Sequence, residues 1–309
     1  MGNVYTKSGA LARRIYFGAT TIWENLYYFL QKRVLADGGT FIENDVLISD
    51  DGASLILTPN AYKVGKLYSA KPNFGAGDST VDRNSTATYI GQDRLIKTAL
   101  ANVPRIDWSS GEAVVLRELQ RTNLVTDSLI MNWTIADFNR LGNYAIAPDG
   151  TLTATKITVV DNPLMIPVTY FSMAKEGLMH SIYLKGEGEN IGKTVSFANI
   201  NTDITLTNEW VRYQGLSTSA AIGIKKEGNN TANSVLVWGA QAEQGSTATS
   251  YIPTNGVTET RLADNINVPT PAGVTAITET IDGVEQTPIT TIPATYSLPV
   301  GNINKVTML

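Results

Sequence analysis

The sequence contains no cysteine and one histidine among its 309 residues. The first absence excludes disulfides, thiolate metal sites and cysteine nucleophiles. The second excludes any multi-histidine metal centre and leaves His180 as the single candidate for imidazole-based catalysis. Charge is scarce as well: Asp, Glu, Lys and Arg make up 17% of the chain, against roughly 25% in an ordinary globular domain. The net charge is -4 and no segment is strongly basic, so no field exists to bind nucleic acid by counterion release. No apolar run approaches the roughly 20 residues of a bilayer-spanning helix, so membrane insertion is not expected. The opening Met1-Gly2-Asn3-Val4-Tyr5-Thr6-Lys7 has no apolar core before a cleavage site, which leads us to expect a chain made in a cytoplasm that stays soluble.

What stands in place of charge is Thr, Ser, Asn and Gly, a composition typical of β-rich surface proteins. No glycine-rich phosphate loop is followed by Lys-Ser or Lys-Thr, and the Gly75, Gly77, Asp78 stretch does not supply one. Asp50-Asp51 and the pair Asp78 and Asp82 read as turn formers, because neither has calcium-loop spacing. No metal or cofactor is therefore expected, and the chain is read as a non-enzyme.

Along the chain the pattern falls into four segments. Residues 1–50 read as an attachment or oligomerisation segment. Thr21-Ile22-Trp23-Glu24 forms a capping box, and apolar residues at Ile22, Leu26, Phe29, Leu30 and Val34 follow at helical spacing until Gly38-Gly39. The competing reading makes Arg14-Ile15-Tyr16-Phe17-Gly18 and Thr21-Ile22-Trp23 two short strands. With Tyr27, Tyr28 and Phe29 the helix would be apolar around much of its circumference, which suits packing in a core or against another copy.

Residues 51–129 read as a β-rich connecting region, with a short strand over 53–58 closed by Pro59-Asn60 and a glycine-rich loop at 73–78. Residues 130–256 read as one domain, with strand-like runs at 151–160, 165–172, 178–184, 194–198, 210–215 and 234–242. Turn chemistry such as Asp149-Gly150 and Asp161-Asn162-Pro163 separates them. Closely spaced strands without intervening helix patterns predict a β-sandwich of jelly-roll type. Residues 257–309, rich in Thr and Pro, read as a small C-terminal β element or docking tail. In it, 276–281 followed by Asp282-Gly283 is half a hairpin, and the apolar Val306-Thr307-Met308-Leu309 should dock on its own chain or on neighbouring copies.

Several ordered phrases then become meaningful together. Arg83-Asn84-Ser85-Thr86-Ala87-Thr88-Tyr89-Ile90, Ala101-Asn102-Val103-Pro104-Arg105-Ile106-Asp107-Trp108 and Arg117-Glu118-Leu119-Gln120-Arg121-Thr122-Asn123-Leu124 open a module. Val237-Trp238-Gly239-Ala240-Gln241-Ala242-Glu243-Gln244-Gly245 and Ala248-Thr249-Ser250-Tyr251-Ile252-Pro253-Thr254 close it. This order resembles phage virion appendages carrying a carbohydrate-binding-type jelly roll. The 15–24 segment and Ser54-Leu55-Ile56-Leu57-Thr58-Pro59-Asn60-Ala61-Tyr62-Lys63 are similar to fibre proteins of the crAss-like phages of gut bacteria.

The resemblance implies a tail or head (capsid) fibre, usually a homotrimer, on the virion surface after synthesis in the host cytoplasm. Its implied partners are itself, other virion proteins through the N-terminal segment, and host surface glycans. The alternatives are a virion-associated glycan hydrolase and a capsid decoration protein that binds no sugar. Read from the residues, the phrases are structural: Trp238 belongs in or beside a core, Gly239 and Ala240 permit close approach of a facing sheet, and Arg121-Thr122-Asn123 tie a loop to backbone atoms. His180, flanked by Met179 and Ser181-Ile182-Tyr183, reads as a packed or surface imidazole in a strand. For glycan contact the candidates are Trp133 and Tyr144, with Asn132 and Asn143 beside them, in sequence that reads as exposed loop.

Overall fold

The computed structural model describes residues 52–63, 65–71, 79–130, 138–159, 171–172, 177–198, 202–217, 221–225 and 230–309, together with four short strands before residue 50. The chain divides into Met1–Gly52 and Ala53–Leu309. In the first part Gly2–Tyr5 pairs antiparallel with Leu11–Arg14, and Phe41–Glu43 with Val46–Ile48. The expected helix from Thr21, its alternative strands between 15 and 23, and the glycine-rich loop at 73–78 lie outside the described residues.

The part from Ala53 to Leu309 is mainly β, built of several antiparallel sheets. Among the described residues the only helical element is a single 3-10 turn, Gly188–Asn190. Two cores organise the sheets. One is formed by residues from both ends of this part: Leu55, Leu57, Val115, Ile277, Ile303 and Val306 are all buried in it. The Gly301–Met308 strand lies at its centre. One edge of that strand pairs along Ile277–Ile281, while the other pairs first with Val114–Arg117 and then with Leu55–Lys63. The apolar Val306 and Met308 thus dock on their own chain, with no exposed surface left on either.

The Ile277–Ile281 strand turns through Asp282 (φ 51°) and Gly283 (φ 75°) into Val284–Glu285, the doubly left-handed geometry of a two-residue hairpin. The strand expected to close at Pro59 instead runs from Leu55 to Lys63. Its partners explain this: Gly301–Met308 pairs only through Leu57, and the register with Lys66–Lys71 shifts between Leu57 and Tyr62. Pro59 therefore sits where no ladder hydrogen bond is required of it.

The second core belongs to residues 125–252. A five-stranded sheet runs Phe138–Ala145, Ala154–Val159, Ser234–Glu243, Met179–Lys185, Val211–Leu216. A four-stranded sheet runs Phe171–Ser172, Ala221–Lys225, Thr194–Ala198, Thr202–Thr205. Ile157, Ile182 and Val237 from the first share a buried cluster with Phe197, Ile204 and Ile224 from the second. Ile182 and Leu184 of one strand, with Leu178 just before it, lie at even spacing, and because successive side chains point to opposite faces that period directs them together into the core. The stretch around Tyr144, expected as exposed loop, is the Phe138–Ala145 strand. Its alternation is hidden because Asn143 (φ 51°) interrupts the pairing between Leu141 and Ala145.

Entrance and exit of the 125–252 region lie side by side. Arg121–Asn123 pairs with Glu259–Arg261, and Asp127 bridges Asn255. The polypeptide leaves the first core along one strand of this ribbon and returns along the other.

Candidate functional site

The closing phrases become a mechanical unit in three dimensions. Between the pairs Ser181–Gln241 and Tyr183–Trp238, two residues, Gly239 and Ala240, stand opposite Ile182. This is a β-bulge with glycine in the left-handed region, at φ 65°. The extra residue resets the alternation, so Val235 and Val237 before it and Ala240 and Ala242 after it all reach the same core. On the other face, Trp238 packs edge-on against Tyr183, centroids 5.6 Å apart, and against Tyr251 at 4.5 Å. The neighbours that require a glycine at 239 are these aromatic rings, not the facing sheet: a Cβ would lie 3.1 Å from Tyr183 Cδ2 and 3.4 Å from Tyr251 Cε2.

Past the bulge, Gln241 and Glu243 hold the second half of the phrase. Gln241 Oε1 accepts from the Ile252 N–H at 2.7 Å, and Glu243 accepts from the Thr249 N–H at 2.8 Å and its hydroxyl at 2.6 Å. Asn123 completes the tie. Its amide donates to the Ala240 and Ile252 carbonyls, while its Oδ1 accepts from the Val125 and Ala242 N–H groups. Of Arg121-Thr122-Asn123, expected together to tie a loop to backbone atoms, Asn123 makes that tie through these four bonds, whereas Thr122 meets the Thr260 hydroxyl at 2.8 Å and Arg121 donates to the adjacent Gln120 carbonyl at 2.9 Å.

Beside this tie is a buried ionic cluster that the sequence reading missed. Asp264 Oδ1 receives Arg83 at 2.6 Å, and Oδ2 receives Arg105 and the Glu118 N–H, the latter at 2.9 Å. Arg105 also donates to Glu118 at 2.7 Å, to Ser250 at 2.8 Å and to the Thr88 carbonyl at 2.9 Å. Arg261 lies 3.5 Å from Glu118 and 3.8 Å from Asp264. Burial alone would raise the Glu118 carboxyl, but Arg105, Arg261 and the Ser250 hydrogen bonds outweigh it and hold the group at about 2. Burial lowers Arg83 and Arg261, whereas the two carboxylates more than offset burial at Arg105 and raise it. The available signal was the arginines inside otherwise apolar phrases, such as Pro104-Arg105-Ile106, in a chain with few charges to place.

A cleft of about 650 Å³ opens next to these ties, within the range of small-molecule sites. Thr86, Thr88 and Thr98 line one wall; Thr88 and Thr98 are directly paired across the Ala87–Ile90 and Ile96–Ala99 strands. Asp149, Thr151, Thr153, Trp238 and Tyr251 line the cleft as well. A relay fixes the hydroxyl directions: Trp238 Nε1 donates to Thr153 at 3.0 Å, Thr153 meets Thr151 at 2.6 Å, and Thr151 donates to Asp149 Oδ1 at 2.6 Å. Glu259 and Arg261 complete the lining on the chain's return strand.

Of the predicted glycan contacts, Asn143 and Tyr144 do not line this cleft. Trp133 and Asn132 lie outside the described residues. Asn143 is exposed, and Tyr144 is half-buried with its hydroxyl donating to Glu187 at 3.0 Å. The Lys156 amine sits 4.7 Å over the Tyr144 ring and 2.7 Å from Glu187, an ion pair that raises the lysine and lowers the carboxyl. One face of the ring is thus already covered by a cation. His180 is fully buried with neither ring nitrogen hydrogen-bonded, and desolvation pushes it down to about 4. Among the described residues no cluster of three or more His, Asp or Glu could hold a metal ion. The chain matches no protein-family model and no curated relative.

Proposed function

We propose that the chain is a structural fibre protein of a bacteriophage particle, of the tail-fibre or head-fibre kind, which acts by association and surface contact. The observation that carries this reading is the use made of the recurrent phrases. Arg83, Arg105, Glu118, Asn123, Gln241 and Glu243 are all consumed in internal ties that brace the ribbon, the hairpin and the 249–252 segment against one another. Glu118 is held ionised between arginines and His180 is enclosed and neutral, so neither is poised to transfer protons to a substrate. The resemblance of the phrases to virion appendages supplies the biological setting.

The two sheets that share the 125–252 core support a β-sandwich of jelly-roll type, presented as a lectin-like module. Residues 1–50 are the segment we assign to attachment on other virion proteins, and homotrimerisation is the expected assembly.

Immunogold labelling of purified particles with an antibody against residues 130–256 tests the reading. Label on the particle surface is expected, and particles free of the protein overturn it. Light scattering of the purified chain should give a trimer mass; a stable monomer at micromolar concentration removes the self-association claim.

A further inference from the structure

We propose that the threonine-lined cleft is a binding site for neutral carbohydrate, an inference that rests on the surface-contact reading above. The argument is the match between free groups in the cleft and a polyhydroxylated ligand. Thr86, Thr98 and Asn255 border the cleft, are exposed, and make no side-chain hydrogen bond among the described residues. Asp149 uses Oδ1 for its own turn and for Thr151, leaving Oδ2 as an acceptor, and Glu259 adds a second carboxylate. Hydroxyl and amide groups of both polarities are what a sugar's donor–acceptor hydroxyls require.

Arg261 borders the cleft with 1% of its side chain exposed and is committed to Glu118 at 3.5 Å and Asp264 at 3.8 Å, so it offers a ligand no free charge. Leu129, half-buried, and Pro253, exposed, supply apolar surface for the C–H faces of a pyranose ring. Charge selects the class: Asp149 and Glu259 oppose an anionic sugar, while Arg261 is already ion-paired.

The test uses the full chain, a panel of neutral mono- and oligosaccharides (glucose, galactose, mannose, rhamnose, N-acetylglucosamine and their short oligomers), and glucuronate and sialate as acidic comparators. Saturation-transfer NMR and calorimetry should detect binding of at least one neutral sugar and weaker binding of the acidic ones. Thr98→Trp, which fills the cleft from an exposed strand position, should abolish binding. Asn255→Ala, outside any strand, should weaken it about tenfold for the loss of one or two hydrogen bonds. Tyr144→Ala should leave binding unchanged, and melting temperatures recorded alongside separate loss of binding from loss of fold.

Binding that survives both cleft variants, binding lost with Tyr144→Ala alone, preference for the acidic sugars, or no binding to any sugar overturns the proposal. The particle-labelling experiment fails independently. Label without sugar binding removes the cleft and keeps the fibre; sugar binding by a protein absent from particles does the reverse.

Discussion

Asp264 is the residue on which most of the buried charge converges. Its two oxygens accept from Arg83 and Arg105, and its backbone carbonyl accepts from Arg117 Nε at 2.8 Å. Removing one member of a buried ionic group leaves the other charges without compensation, at a cost of roughly 3–5 kcal/mol. Asp264→Asn should therefore lower unfolding stability by about that amount in urea titrations. A loss under about 1 kcal/mol would mean that solvent reaches these arginines. His180 makes a different prediction. Its folded-state value, near 4, lies below the ordinary 6.5. The unfolded chain thus takes up the proton first, and the native state loses stability as pH falls from 6.5 toward 4. The full effect is about 3 kcal/mol, and the interval above pH 5 is where it is separable from Glu118, whose contribution is lost only as pH falls from its ordinary 4.5 toward about 2. Denaturation midpoints of wild type and His180→Leu between pH 7 and 5 should diverge, the variant showing the flatter profile.

Among the elements, the Ser234–Glu243 strand carries the most distinct tasks. Its first half feeds the core through Val235 and Val237 and presents Trp238 to Tyr251; its second half feeds the core through Ala240 and Ala242 and presents Gln241 and Glu243 as ties. One left-handed residue makes both halves possible. Gly239→Ala should cost about 2 kcal/mol, combining unfavourable left-handed backbone with crowding of Tyr183. The urea midpoint measures it, and an unchanged midpoint would show that the bulge can migrate. Much of this strand was legible in its apolar run, as were 178–184 and 194–198. The Phe138–Ala145 strand was not, because the Asn143 irregularity breaks the period on which such reading depends. For the same reason Tyr144 reads as a loop residue in the sequence, whereas it is a strand residue engaged by Glu187 and Lys156.

At the scale of the whole molecule, the first core unites residues that are distant along the chain. Leu57 pairs with Val306, and Val115 with Ile303. Contacts of such separation require closing a long loop before they repay its entropy, which makes folding slow. Deleting residues 301–309 removes a strand that has partners on both edges and should abolish cooperative folding of this core, leaving Leu55, Val115 and Ile277 without cover. Hydrogen exchange on the truncated chain should show protection retained in 179–185 and 234–243 and lost in 55–63 and 114–117. Protection retained in the latter would show that the sheet closes without its central strand.

What the chain lacks was decided by its sequence alone: without cysteine and with one histidine, thiolate and multi-histidine chemistry could not arise in any fold. The β character and the turns were local as well, written in period-2 apolar runs and in pairs such as Asp282-Gly283. The functional surface was not local. The cleft is assembled from residues 86–98, 149–153 and 251–261, and the arginine cluster from positions 83, 105, 118, 261 and 264. Taken singly, no segment shows which of the others it will meet. Tertiary pairing of strands far apart in sequence brings them together, with Arg83, Arg105, Arg261 and Asp264 buried and Thr86 and Thr98 exposed.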